Sequence, residues 1–336
     1  VTNAYLYTGE EKYKRWVLDY LTAWIERRDQ NDGIMPDNIG PNGKIGEKIS
    51  GKWWGGYYGW RWPHGARNII EGTYVAGSCA ALMTGDMSWL DLCRSQLDML
   101  WNLRKEEDGI IKVPARHGDD GWFDYRAPDP LYYIHLYYLS QSTEDKARLD
   151  EVFPTRAGFA KFPPDWGAAK AGICPPRAWF SFMEGSYPDY PLDAIESTQD
   201  AMGRSLERLA DDDSDPETRH CYHFQNLNPV LPEALVQMAM GTPSALYNGG
   251  LLQAHLRYFD PEKKRPGLPE HIAALVEGVS ADSARVVLVN TDPVAGHSVI
   301  VQAGSFGEHL FECAEMENGE IVEIGERWLR VELGPS

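Results

Sequence analysis

Residues 10–28 read EEKYKRWVLDYLTAWIERR and residues 86–104 read DMSWLDLCRSQLDMLWNLR, two stretches that align without a gap at an offset of 76 residues. In both, apolar residues recur every three or four positions, the spacing of one face of an α-helix. The match extends beyond the helices to a preceding Thr-Gly pair and a following Asp-Gly pair. These pairs are Thr8-Gly9, Thr84-Gly85, Asp32-Gly33 and Asp108-Gly109. The repeat predicts two helical units built on one plan.

The apolar stripe of the first helix predicts the side that packs against its neighbours. It comprises Tyr13, Trp16, Val17, Tyr20, Leu21, Trp24 and Ile25. Further helices are predicted over 66–83, 129–140, 192–210, 230–240 and 243–258. Successive α-hairpins bury their faces when they wrap around a common axis. The sequence therefore predicts a mainly α fold over residues 1–265, an (α/α) toroid that is incomplete at four or five hairpins.

After Pro266 the pattern changes. A last short helix is predicted over 270–278, and alternation of apolar and polar residues follows, with turn residues between the runs. The predicted strands are Arg285–Asn290, Ser298–Gln302, His309–Cys313, Glu320–Ile324 and Trp328–Leu333. Residues 266–336 are therefore expected to form a small antiparallel, β-sandwich-like domain.

The amino-acid composition limits the classes of molecule that the protein is expected to bind. The 336 residues carry a formal net charge of −18, which disfavours nucleic-acid binding because phosphates need basic residues. No run approaches the ~20 apolar residues of a membrane helix. No targeting segment is visible, so we expect a soluble protein whose compartment and oligomeric state stay open. The 12 Trp and 17 Tyr against 10 Phe favour surfaces that contact sugar rings.

The loop at 51–65, GKWWGGYYGWRWPHG, is the first candidate site. Its glycines allow close backbone approach to a ligand, and its aromatic rings offer stacking faces. The candidates for substrate binding are Trp53, Trp54, Tyr57, Trp60, Arg61 and Trp62, and those for catalysis are Tyr58 and His64. The alternative is that these rings fill the interior of the helical ring.

The loop at 117–126, HGDDGWFDYR, is the second candidate. Its carboxylates, Asp119, Asp120 and Asp124, lie beside Trp122, Tyr125 and Arg126. A glycosidase needs one protonated and one ionised carboxyl group. An Asp-Asp-Gly turn is the equally plain alternative.

Two later segments add candidates. Glu184 lies in an aromatic stretch with Tyr187, where burial would raise the pKa of its carboxyl; a structural salt bridge is the alternative. His220 and His223 lie in a polar and aromatic cluster, but no HExxH motif accompanies them, so neither a metal nor a cofactor is predicted. The run Asp211–Asp215 matches a diphosphate-binding pattern, although a solvated acidic turn is the ordinary interpretation.

Helical hairpins, Asp-Gly turns, aromatic loops and a trailing β domain resemble the (α/α)-toroid carbohydrate-active enzymes, often called six-hairpin glycosidases. The resemblance spans Val1 to about Leu268 and no motif selects a single family. It implies cleavage of glycosidic bonds in an oligo- or polysaccharide. Hydrolases of this group use paired carboxylates, whereas lyases on the same toroid use Tyr and His, with Arg or Asn holding a uronic acid.

Three hypotheses follow. Hydrolysis leads, with Glu184 as acid and Asp119, Asp120 or Asp124 as base. Elimination at a uronic acid, using Tyr57, Tyr58, Arg61, His64 and His220, is the second. A non-catalytic protein that binds glycans is the third.

Overall fold

A computed structural model describes residues 1–162, 176–220, 223, 227–246 and 250–336. The chain forms two compact units, the first comprising residues 1–136 and 143–154, the second residues 137–142 and 155–336. The predicted division at residue 265 stays a prediction. None of the helices in the described ranges is both long and apolar enough to cross a membrane.

The mainly α toroid is wrong. Helix accounts for 39% and strand for 22% of the described residues. A three-stranded sheet follows the fourth helix, and from residue 256 onwards the regular elements are strands. These stretches become strands because they pair with segments that are distant in the chain. Periodicity within one segment does not reveal such a partner.

Six helices belong wholly or partly to the first unit. They are α1 (Thr2–Thr8), α2 (Glu11–Asp29), α3 (Ala66–Thr84), α4 (Asp91–Asn102), α5 (Leu131–Ser140) and α6 (Thr143–Val152), with α5 passing into the second unit at Tyr137. The predicted helices at 66–83 and 129–140 are confirmed as α3 and α5.

The Thr-Gly repeat is confirmed by geometry. Gly9 and Gly85 both end a helix in the left-handed region, where glycine is favoured, with φ of 66° and 76°. The hydroxyls of Thr8 and Thr84 each donate to the carbonyl four residues earlier, at 2.7 Å. Two helices at the predicted offset therefore end in the same way.

The predicted stripe of α2 is only partly buried, since most of its members have intermediate exposure. Leu21 is its only fully buried member, whereas Trp16 and Tyr20 are 62% and 63% exposed. Within the unit α2 packs against α1 and α3. The helix was predicted correctly, but its apolar face is less buried than the stripe suggests.

An antiparallel sheet of order β1-β2-β3 completes the first unit. Its strands are β1 (Lys105–Glu107), β2 (Ile110–Gly118) and β3 (Gly121–Arg126). Asp108 and Gly109, with φ of 55° and 74°, form the turn between β1 and β2. Two consecutive left-handed residues suit a tight hairpin, so this Asp-Gly pair starts a sheet rather than leading into a helical hairpin.

The second unit begins with helices and ends in strands. The helices are α7 (Pro176–Met183), α8 (Tyr190–Ala210) and α9 (Glu233–Met240), and the last two confirm the predictions at 192–210 and 230–240. The strands are β4 (Leu256–Asp260), β5 (Arg265–Pro266), β6 (Ile272–Val279), β7 (Ala284–Asn290), β8 (His297–Ala303), β9 (Phe311–Glu315), β10 (Ile321–Glu326) and β11 (Trp328–Leu333).

These strands form three antiparallel sheets among the described residues, of order β11-β8-β4-β5, β6-β7 and β10-β9. All five predicted strands are confirmed as β7 to β11. The helix predicted over 270–278 is wrong, because β6 occupies most of that stretch. The helix predicted over 243–258 is also wrong in its described part, where 243–246 and 250–255 are not helical and β4 begins at Leu256, while 247–249 lie outside the described residues. The core of the unit joins β4, β6 and β8 through Leu256, Tyr258, Ile272, Val276, Val299 and Val301.

Candidate functional site

The aromatic loop 51–65 lies in the first unit and is held by one carboxylate. Asp37 accepts hydrogen bonds from the backbone amide of Gly56 at 2.8 Å and from that of Trp60. The indole of Trp60 donates to the carbonyl of Met35 at 2.6 Å. A Cβ at Gly59 would lie 1.9 Å from the Asp37 carboxylate, so only glycine fits there. Sequence reasoning missed Asp37.

Burial raises the pKa of Asp37, and the amides of Gly56 and Trp60 oppose that shift. Both carboxylate oxygens accept backbone hydrogen bonds, so Asp37 holds the loop in one conformation. Its position after Met35-Pro36 was the available signal, because a short acidic residue after proline commonly bonds backbone amides in a turn.

The inner layer of the loop surrounds a histidine. The ring centroid of His117 lies 4.6 Å from Trp53, 5.2 Å from Trp54 and 4.8 Å from Trp122. Trp60 is fully buried and packs edge-on against Trp122 at 5.1 Å. Part of the predicted ligand-binding set therefore fills the interior of the unit, as the alternative interpretation held.

His117 was not a predicted site residue. Its Nδ1 is buried and has no hydrogen-bond partner among the described residues. Burial lowers the pKa of His117, which favours the neutral imidazole. Interpreting 117–126 as a β-hairpin would have predicted that His117 lies beside Trp122, because the two residues face each other in the register of β2 and β3.

The outer layer of the loop is exposed. Tyr57, Tyr58 and Trp62 are 72%, 54% and 52% exposed, and we call these three residues the aromatic face. The Tyr57 ring lies 4.5 Å from Tyr58 and 4.9 Å from Trp62 between centroids. Tyr58 has a φ of 61°, a left-handed backbone that bulky residues rarely adopt. Its surroundings therefore hold the face in place.

Charged groups lie beside Trp54. Asp119 forms an ion pair with Lys52 and a longer one with Arg61, whose Nη1 is 3.8 Å away. Lys52 also lies 4.8 Å from the centroid of the Trp54 ring. The hydrogen bond from Lys52 lowers the pKa of the Asp119 carboxyl, which favours its ionised form. His64, in the same loop, is exposed.

The other predicted acids of the first unit are in the β2–β3 hairpin. Asp119 and Asp120 are the two turn residues between Gly118 and Gly121, as the turn alternative proposed. Asp124 lies between two guanidinium groups, 3.3 Å from Arg116 Nε and 2.6 Å from Arg126 Nη2. Tyr125 is half-buried beneath the ammonium of Lys105.

The remaining candidates lie in the second unit. Arg156 Nε is 3.6 Å from Glu184 Oε2, the salt bridge of the alternative interpretation. Tyr187 donates to Asp193, and burial, followed by this bond, raises the pKa of Tyr187 to about 12. Glu184 and Tyr187 therefore belong to a different unit from the aromatic loop and the β2–β3 hairpin.

A second polar cluster surrounds Asp212. His223 Nε2 and Arg219 Nη2 each lie 2.9 Å from Asp212 Oδ2, while His220 is exposed. Hydrogen bonds from Ser214 and then His223 lower the pKa of Asp212 to about 2. Residues 221–222 and 224–226 of this cluster lie outside the described residues. Across the described residues, this cluster included, His, Cys, Asp and Glu side chains form no group suited to a metal ion.

Two of the three predicted catalytic aspartates of the first unit are held by basic residues. Paired-carboxylate catalysis needs one carboxyl that can donate a proton beside one that stays ionised. Asp119 and Asp124 are both ion-paired, and the oxygens of Asp37 accept from the loop backbone. The exposed aromatic face, in contrast, is open to a ligand.

A family model described as a domain of unknown function, DUF8034, matches residues 1–110 and 104–236. Neither the curated proteins nor the solved structures contain a match to the chain.

Proposed function

The chain belongs to the DUF8034 family, whose matches together span residues 1–236, and we propose that its first unit binds carbohydrate on the aromatic face. One observation carries the proposal: three large rings, Tyr57, Tyr58 and Trp62, are each more than half exposed on a loop clamped by Asp37. Exposed rings on a rigid loop lose little conformational freedom on binding.

The chemistry of the face suits a sugar. Trp and Tyr combine a flat apolar surface with a polar edge, which matches the apolar face and the hydroxyls of a pyranose ring. Arg61 and His64 are exposed in the same loop and supply hydrogen-bond donors beside the rings. The face is small and its rim is charged, which suits a short run of sugar residues.

Bond cleavage stays a prediction. The fold is not the toroid that suggested it. Of the three predicted carboxylates in the first unit, Asp119 and Asp124 are ion-paired, and Asp120 is exposed in the hairpin turn. Elimination would use Tyr57, Tyr58, Arg61 and His64 on the aromatic loop. A broad oligosaccharide panel separates the three hypotheses, because hydrolysis releases reducing ends, elimination gives an unsaturated product that absorbs ultraviolet light, and binding alone releases nothing.

The test of binding uses two pairs of variants. Tyr57→Ala combined with Trp62→Ala removes two rings of the face, and Trp16→Ala combined with Tyr20→Ala removes two equally exposed rings of α2. Each stacked ring contributes on the order of 1 kcal/mol, so the first pair should weaken glycan binding about tenfold or more. The second pair should leave it unchanged in isothermal titration.

Two results contradict the proposal. One is the absence of binding to every glycan in the panel by the wild-type chain. The other is an equal loss of affinity in both double variants, which would show that the aromatic face has no special part.

A further inference from the structure

A cavity of about 550 Å³ lies in the second unit, between α9, β4 and the segments 266–268 and 305–306. This volume is within the range of small-molecule sites. Its walls are mainly apolar, and the contributing side chains include Leu235, Val236, Ala239, Leu251, Leu268 and Phe306. An apolar ligand body would therefore displace water from apolar surface, which favours binding.

Two polar groups line the same cavity. Arg257 Nη1 donates to the carbonyl of Ser305 at 3.2 Å, which places the guanidinium at the Ser305 side of the wall. Arg257 forms no ion pair with any residue the structure describes, although the chain carries a net charge of −18. In the described part of the chain, the guanidinium therefore has the Ser305 carbonyl and the Phe259 ring, 5.3 Å away, as neighbours but no carboxylate at ion-pair distance.

Ser305 supplies a second unmatched donor. Its residue is 3% exposed, and its Oγ has no hydrogen-bond partner within the described ranges. Buried hydroxyls are normally paired, so an orphan at the wall of a cavity is informative. The same residue therefore offers both an unpaired hydroxyl and the carbonyl that holds Arg257.

We propose that this cavity binds a monocarboxylate with a long apolar body. The carboxylate lies against the Arg257 guanidinium, whose fork of donors matches two carboxylate oxygens. The hydrocarbon body lies along Leu235, Val236 and Ala239 of α9. A neutral ligand would leave Arg257 without a counter-ion, and a polyanion would place further charges against apolar walls. The site shares no residue with the aromatic face and does not rest on its proposed function.

The test uses decanoate as the probe, with decan-1-ol and decyltrimethylammonium as uncharged and cationic counterparts. Isothermal titration of the full chain should show decanoate binding at least tenfold more tightly than either counterpart. Arg257→Gln should weaken decanoate binding at least tenfold. Arg330→Gln is the control, because Arg330 is an exposed arginine of the same unit that pairs with Glu332. It should leave decanoate binding unchanged.

A second variant keeps the proposal falsifiable if Arg257→Gln does not fold. Ala239→Phe places a ring in the cavity and should abolish decanoate binding while the circular dichroism spectrum is retained. Equal affinity for decanoate and decan-1-ol, unchanged affinity in Arg257→Gln or Ala239→Phe, or no decanoate binding by the wild-type chain would each overturn the assignment.

Discussion

Asp37 accepts a hydrogen bond from the backbone amide of Trp60, a residue 23 positions later in the chain. Its other oxygen accepts from Gly56, so one side chain ties two points of the aromatic loop to the segment that precedes it. Trp60 is fully buried, whereas Tyr57 and Tyr58, which lie between the two bonded amides, are exposed. Within this segment the clamp thus joins a buried ring to two exposed ones.

A methyl group at Gly59 should break this clamp. In Gly59→Ala the new Cβ would overlap the Asp37 carboxylate, 1.9 Å away, so one must move. We expect the free energy of unfolding of the first unit to fall by about 1–3 kcal/mol, the range for overpacked sites. Urea denaturation followed by Trp fluorescence measures this change.

Gly72→Ala is the matched control. Gly72 lies inside α3 and a Cβ there would meet nothing within 4 Å. Alanine should stabilise the helix by about 0.5–1 kcal/mol, because it loses less conformational freedom than glycine. An equal loss of stability in both variants would show that the Asp37 contact has no special importance.

His117 should make the stability of the first unit depend on pH. Burial lowers its pKa in the folded state below the ordinary 6.5, so the unfolded chain takes up the proton first. The contribution of the neutral His117 to the free energy of unfolding is fully present above pH 6.5 and is lost progressively as the pH falls towards its folded-state pKa. Unfolding free energies at about pH 7.5 and about pH 5 should differ less in His117→Phe than in the wild type.

His64→Phe serves as the comparison for this pH experiment, because His64 is an exposed histidine in the adjacent loop. It should retain the wild-type dependence on pH. A wild-type dependence in His117→Phe, or its loss in His64→Phe, would refute the role assigned to the buried imidazole.

Removal of a buried carboxylate should strongly destabilise the first unit. Asp145 on α6 is 1% exposed and lies 2.7 Å from both Arg94 Nη2 and Arg148 Nη1. Asp145→Ala removes the carboxylate that both guanidinium groups share. We therefore expect the free energy of unfolding to fall by about 3–5 kcal/mol.

The comparison for Asp145 is on the same helix. Asp150 pairs with Lys146 at 2.8 Å, but its side chain is half-exposed, so Asp150→Ala should cost about 0–1 kcal/mol. Chemical denaturation of both variants measures the difference. Similar losses of unfolding free energy in the two variants would mean that burial does not determine how much the ion pairs of Asp145 stabilise the unit.

Acid should remove the contribution of Asp212 to the second unit. Its folded pKa of about 2 lies below the ordinary 3.8, so the carboxylate stabilises the fold above pH 3.8 and ceases to do so as the pH falls through about 2. The melting temperature of Asp212→Asn should be lower than that of the wild type at about pH 5, and the difference should shrink towards about pH 2. Asp213→Asn, a change at an exposed neighbour, should melt close to the wild type at about pH 5.

The composition of the site could be predicted, but not its layers. The aromatic loop and the acidic turn follow from the sequence as separate candidate segments. Their proximity, seen where Trp53 and Trp60 lie against Trp122, comes from the tertiary structure. Which rings are buried depends on the Asp37 clamp and on the packing around His117, and both join residues separated by tens of positions. No local pattern encodes such contacts.

Local signals determined the helix ends and the last five strands. Thr-Gly caps and alternation of period two act within a few residues, so Gly9, Gly85 and strands β7 to β11 are where the sequence predicts them. Tertiary structure alone decided β4 and β6. Leu256 pairs with Ala303 and Ile272 with Asn290, and these ladders outweigh a short helical pattern because they satisfy the backbone and bury apolar residues together. These long-range pairings decided the fold class, whereas the sequence itself determined which residues are candidates for the site.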